Sequence, residues 1–169
     1  MKFVSIDPSM SNTALVWGEI KEDKTLNLQG YKIVHTEKSS DKKVPVMVDR
    51  LDRISDIFEG VDEVLNSINP DFCFGELPSG SQSSQGAVGV GISLAILAKL
   101  PNLIHVTPMD VKKVVGTGII TKDQIMDYCL NKYPDFPFEK KKDGTLVKAR
   151  MEHTCDAIAI ALAGIKKMK

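Results

Sequence analysis

The hydrophobic pattern of the chain changes period near Pro45. Before it, apolar residues come in short runs or alternate with polar ones, which predicts strands. Lys2–Asp7 is such a run and ends in an acid, and Pro8-Ser9-Met10-Ser11 is a turn. Asn12–Ile20 is a second strand. Asn27–Thr36 is a third, with Leu28, Tyr31, Ile33 and Val34 on an imperfect alternation, and the residues from Thr25 to Gln29 leave its start open. Glu37–Pro45 is polar and predicts a loop. Beyond it, Leu51, Ile54, Phe58, Val61, Val64, Leu65 and Ile68 recur at three- and four-residue steps. That spacing predicts a long helix with one buried face, despite Gly60 inside it, and Pro70 stops it.

The second half alternates strand and helix. Phe72–Glu76 is a brief strand that again ends in an acid, and Pro78–Gly86 is a loop rich in Ser, Gln and Gly. Ala87–Leu100 predicts an apolar helix with small residues, and Leu103–Val106 a fifth strand. Thr107-Pro108-Met109-Asp110 has an N-cap residue, a proline at the first helical position and an acid at the third. Thr121-Lys122-Asp123-Gln124 has capping-box spacing before another helix. Asp135–Val147 is polar, and Ala149–Lys167 closes the chain as a helix. Three antiparallel strands followed by alternating helices and strands suggest a mixed α/β sheet with helices on its faces.

Composition narrows the classes. A chain of 169 residues fits one domain spanning 1–169 with its own core. Its 43% apolar and 26% charged residues exclude a disordered tail, a fibrous repeat and a disulfide scaffold. The stretch from Leu77 to Ala98 is broken by Gly, Ser and Gln and predicts no membrane span, and the run after Met1-Lys2 is too short for a signal peptide. Cys73, Cys129 and Cys155 are odd in number and form no CxxC, which predicts a reduced, intracellular chain. The 22 basic residues against 22 acidic ones argue against polyanion binding by bulk charge, though not against one basic face.

The two acids that end strands, Asp7 and Glu76, lead to chemistry. His153 and Asp156 lie three residues apart on one face of the last helix. If the two strands are neighbours, their carboxylates converge and repel unless something neutralises them. A hard divalent cation does so, and oxygen-rich ligation suits Mg²⁺ or Mn²⁺. Taken singly, Asp7 also reads as a turn-forming Asp, Glu76 as a solvated strand end and His153 as a structural histidine. Asp156 lies in the apolar stretch from Cys155 to Ala161, where an acid must be paired or metal-bound.

Four ordered segments resemble the RuvC family of Holliday-junction resolvases, which have the ribonuclease H-like fold. Phe3-Val4-Ser5-Ile6-Asp7-Pro8-Ser9-Met10-Ser11-Asn12-Thr13-Ala14 is similar to the family's opening strand, with Ser9 and Ala14 in place of two glycines. Phe74-Gly75-Glu76 resembles its strand-end glutamate. Val111-Lys112-Lys113-Val114-Val115-Gly116, followed by Thr121-Lys122-Asp123-Gln124, resembles its two-lysine segment. His153-Thr154-Cys155-Asp156-Ala157-Ile158-Ala159-Ile160-Ala161 resembles its closing helix. The resemblance implies a five-stranded mixed sheet, three strands antiparallel and two parallel, flanked by helices. It implies a metal-dependent endonuclease that nicks branched DNA, the four-way junction above all, as a homodimer. Asp7, Glu76, His153 and Asp156 are then catalytic metal ligands, with Asp7 bridging two Mg²⁺ or Mn²⁺ ions. His153 either ligates one ion or orients water, so activity falls at acid pH. Lys112 and Lys122 then face DNA phosphates.

The chain departs from the family in its loop Leu77-Pro78-Ser79-Gly80-Ser81-Gln82, which lacks the wedge aromatic often found there. That keeps open an RNA–DNA hybrid or flap as substrate, or a junction-binding protein without catalysis. An actin-like nucleotide-binding fold is opposed by Pro8-Ser9 and the short chain. The divergence fits a viral or mobile-element branch; the expected location is the cytoplasm, that of the host if viral.

Further DNA contacts are expected from Lys140, Lys141, Lys142, Lys148 and Arg150, diluted by Glu139 and Asp143. Lys166, Lys167 and Lys169 read as a solvated face. Ser79, Ser81, Gln82, Ser83, Ser84 and Gln85 either donate to phosphates or form a plain loop. Glu152 reads as solvated, with a supporting role in the site as the alternative. Trp17, Phe3, Phe58, Phe74 and the cysteines are expected in the core. Helix Ala87–Leu100 supplies either a dimer interface or a core helix.

Overall fold

Alternation along β1 (Lys2–Asp7) sends Val4 and Ile6 to one face of a sheet and Phe3, Ser5 and Asp7 to the other. The structure, a computed structural model, describes residues 1–116 and 121–168, without the side chain of Gln85. Lys169 and the Gln85 side chain therefore lie outside the described residues.

β1 pairs antiparallel with β2 (Asn12–Ile20), which pairs antiparallel with β3 (Leu26–His35). On its other side β1 runs parallel to β4 (Phe72–Glu76), and β4 runs parallel to β5 (Leu103–Val106). The sheet order is β3-β2-β1-β4-β5, a mixed five-stranded sheet with the three antiparallel and two parallel members that the sequence predicts. No helix among the described residues is long and apolar enough to cross a membrane.

Val4, Ile6 and Cys73 meet α1 (Val46–Ile68) and α2 (Ser84–Lys99) through Ile57, Val61, Ile96 and Leu97. The opposite face carries α3 (Pro108–Val115), α4 (Lys122–Lys132) and α5 (Lys148–Lys167). Both α3 and α4 begin with full capping boxes, on Thr107 and Thr121. α5 is the most enclosed helix, with eleven buried residues from Met151 to Ile165.

Contacts fix the direction of α5. Phe74 packs where Gly164 passes, and a Cβ at Gly164 would lie 2.1 Å from the ring. At the same level on β1, the buried Ser5 hydroxyl donates to the Ala157 carbonyl at 2.6 Å. Two residues further along β1, Asp7 meets His153, four residues earlier in α5, so the helix runs antiparallel to β1 and brings its first turns to the strand ends.

Some boundaries and faces differ from expectation. β3 starts at Leu26, settling its open end, and α2 starts at Ser84, capped by Ser83. α1 begins at Val46, and Leu51 is not on its buried face but 62% exposed. Asp49 is buried instead, accepting from the Ser39 backbone N–H. The polar stretch after Asp135 is anchored by Phe136 and Phe138, both buried against Met151 and Cys155. Phe3, Phe74 and the three cysteines are buried as expected, while Trp17 and Phe58 are only partly so.

Candidate active site

Two parallel strands end side by side at the site. The register pairs Ser5 with Phe74 and Ile6 with Gly75, so the next step sets Asp7 beside Glu76. Both acids share the face of Phe3 and Phe74, the face that α5 covers. α5 presents Asp156 just before the Ser5–Ala157 contact and His153 one turn before it.

These side chains meet. His153 Nδ1 lies 2.9 Å from Asp7 Oδ2. Asp7, His153 and Asp156 each offer a ligand atom within 4.8 Å of the others, a group that could hold a metal ion. Glu76 stands outside that group but lines the same cleft of about 220 Å³ with Asp7 and Asp156. Lys112, Lys122, Pro108, Val111, Val115 and Ile125 complete the lining.

The electrostatics are those of crowded anions. Burial, then the Asp7 and Asp156 charges, push the Glu76 carboxyl up to about 7, against a pull from Lys112. Burial and then Asp7 push Asp156 up to about 6, against Lys122 and His153. A partly buried pocket that holds acids above their ordinary range is a pocket short of positive charge. Three carboxylates and one imidazole form a donor set suited to a hard divalent cation. The residues present therefore fit the Mg²⁺ or Mn²⁺ expected from the sequence.

The remaining predicted contacts separate into near and far. Lys112 and Lys122 reach the cleft. Lys140 pairs with Leu146 in an isolated bridge, and Gly144 takes a left-handed turn at φ 84° that leaves Lys141 and Lys142 exposed. Lys141 and Lys148 line a neighbouring groove with Asp123, at the start of α4. Lys148 and Arg150 are paired with Asp123 and Glu139, whereas Lys140, Lys141 and Lys142 form no ion pair among the described residues. Ser81 serves its own loop, exchanging hydrogen bonds with the Ser83 backbone, and Gln82 is exposed outside the cleft lining. Lys167 is no free cation: it pairs with Asp110 at 2.7 Å.

Two contacts are not specified by the sequence alone. Glu152, for which the sequence leaves a solvated and a supporting reading open, pairs through its carboxylate with Lys122 across the rim of the cleft. Arg53 ties α1 to the first turn, donating to the carbonyls of Met10 and Thr36 and to the hydroxyls of Thr36 and Ser11.

No protein-family model and no curated protein matches the chain. Solved structures do. Thermus thermophilus RuvC, in complex with a Holliday junction substrate, is 21% identical at a TM-score of 0.66, over 96% of this chain and 92% of that one. The fowlpox virus Holliday junction resolvase is 14% identical at 0.58, over 99% and 100%. The yeast mitochondrial Holliday junction resolvase Ydc2 is 13% identical at 0.62, over 97% and 77%. The chain thus has the ribonuclease H-like fold of the RuvC-type resolvases.

Proposed function

We propose that this chain is a divalent-metal-dependent endonuclease, a crossover junction endodeoxyribonuclease that nicks four-way or otherwise branched DNA. The observation that carries the reading is the meeting of Asp7, His153 and Asp156, with Glu76 in the same cleft, on a resolvase fold. Asp7, Asp156 and His153 would hold the metal, and Glu76 would extend the donor set toward a second ion. Bound there, Mg²⁺ or Mn²⁺ supplies the charge that makes water nucleophilic and steadies the leaving oxygen. The chain's own residues do the rest. Lys112 and Lys122 bind phosphate at the cleft, and the fixed ends of β1 and β4 hold the carboxylates in place. His153 is oriented by its contact with Asp7. Lys140, Lys141 and Lys142 add phosphate contacts on the adjoining turn.

Two of the solved relatives are complexes with Holliday junction DNA, which supports the substrate class. Symmetric nicks in a near two-fold junction call for two sites, hence a homodimer. The exposed stripe Val88, Gly91, Leu94 and Ala98 on α2 suits the second copy. Three free, buried cysteines fit the reducing cytoplasm. One feature favours a second reading: the loop after Glu76 lacks an aromatic wedge, which suits a hybrid or flap substrate.

Incubation with Mg²⁺ and matched junction, flap, RNA–DNA hybrid and linear substrates tests the proposal. Paired symmetric nicks on junctions are expected, and preference for the hybrid overturns it. Asp7→Asn is expected to abolish cleavage and spare binding. Binding with no cleavage by the unaltered chain would point to a structural junction-binding protein.

A further inference from the structure

Lys122 opens α4, where the Thr121 capping box fixes the helix start. Its stem lines the catalytic cleft, and its ammonium rests on the carboxylate of Glu152, one residue before His153 on α5. The two ends of this pair differ. Lys122 is 61% exposed and Glu152 27%, so the acid is the fixed partner and the lysine the swinging one. Among the described residues neither has another ion-pair partner. A carboxylate and a phosphate oxygen compete for the same ammonium, and a long lysine stem lets it exchange one for the other.

We propose that Glu152 is a positioning residue that holds Lys122 at the cleft rim as an internal substitute for a DNA phosphate, so that substrate must displace it. The inference deepens the nuclease reading and rests on it. Before DNA arrives, Glu152 keeps Lys122 over the cleft instead of free in solvent. When DNA enters, the backbone phosphate takes Lys122, and the Lys122–Glu152 pair must break first, which weakens the hold on DNA. Glu152 thereby lowers substrate affinity in return for a lysine already placed.

A double-mutant cycle tests this, read as the dissociation constant of a synthetic four-way junction in EDTA. Glu152→Gln is expected to bind roughly fivefold tighter, the range of one exposed ion pair. Lys122→Met is expected to bind more weakly, and adding Glu152→Gln to it to change nothing. Lys122→Arg is expected to restore the gain from Glu152→Gln, because the charge has returned. An equal gain in the Lys122→Met background overturns the inference, since Glu152 would then act by general repulsion of DNA. So does the absence of any gain while the unaltered chain binds junctions. Failure of the unaltered chain to bind branched DNA at all defeats the functional reading itself, a different result.

Discussion

Glu76 and Asp156 are held at about 7 and about 6, by burial first and by the Asp7 charge next. A carboxyl whose pKa rises on folding binds its proton more tightly in the folded chain. Its contribution to stability is then fully present below the unfolded-chain pKa and is lost as pH climbs through the folded value. The metal-free protein is therefore expected to melt at lower temperature as pH rises from about 5 to about 8. Added Mg²⁺ is expected to raise the melting temperature more at the upper end than at the lower, because it binds the ionised acids. Scanning calorimetry with and without metal checks both signs. Glu76→Gln removes one buried charge and keeps the shape. It is expected to raise the metal-free melting temperature at about pH 8 by about 2–4 °C per kcal/mol relieved, and to flatten the slope. A steeper slope in that variant would contradict the crowded-anion account.

Elements carry these residues to one another, and Gly164 shows how tightly. The Phe74 ring is fully buried, so a methyl at 164 meets carbon it cannot displace cheaply. Gly164→Ala is expected to cost about 1–3 kcal/mol by overpacking, seen as a lower urea midpoint. It is also expected to reduce cleavage in the folded fraction, because α5 carries His153 and Asp156. The strands and the ends of helices were legible in the sequence for a local reason: alternation, capping residues and prolines act within a few positions. The acids at the ends of β1 and β4 were legible for the same reason, and the apolar neighbours of Asp156 marked it as an acid needing a partner. Leu51 was misread because an apolar spacing says which residues share a face, not whether anything covers it. For Glu152 the sequence offers a solvated reading with a supporting role as the alternative, and does not name its partner, which is 30 residues away on another helix. Phe136 and Phe138 were hidden in a stretch whose average is polar, although both are buried.

Across the whole molecule the charges cancel, 22 against 22, so the DNA affinity that the proposed function calls for must come from where the cations sit. Some surface cations are already paired with acids: Lys32 with Glu63, Lys99 with Asp62, Lys148 with Asp123, Arg150 with Glu139. Lys112 stands in the cleft, and Lys140, Lys141 and Lys142 stand on the turn that leads into α5. The second scale-wide feature lies on the other face, where Val88 and Leu94 of α2 are 39% and 46% exposed. Leu94→Glu is expected to convert a dimer to a monomer in sedimentation and to replace paired nicks by single ones, leaving the cleft intact. The turn lysines make a separate contribution. Each phosphate neutralised releases counterions and steepens the fall of log K with log salt by about 0.9. Replacing Lys140, Lys141 and Lys142 by Ala is expected to make that slope shallower by up to about 2.7, if all three touch phosphate. Cleavage at saturating enzyme in low salt is expected to persist, because the proposed metal ligands are untouched. An unchanged slope would mean that the turn points away from DNA, and that the cleft lysines alone hold the substrate.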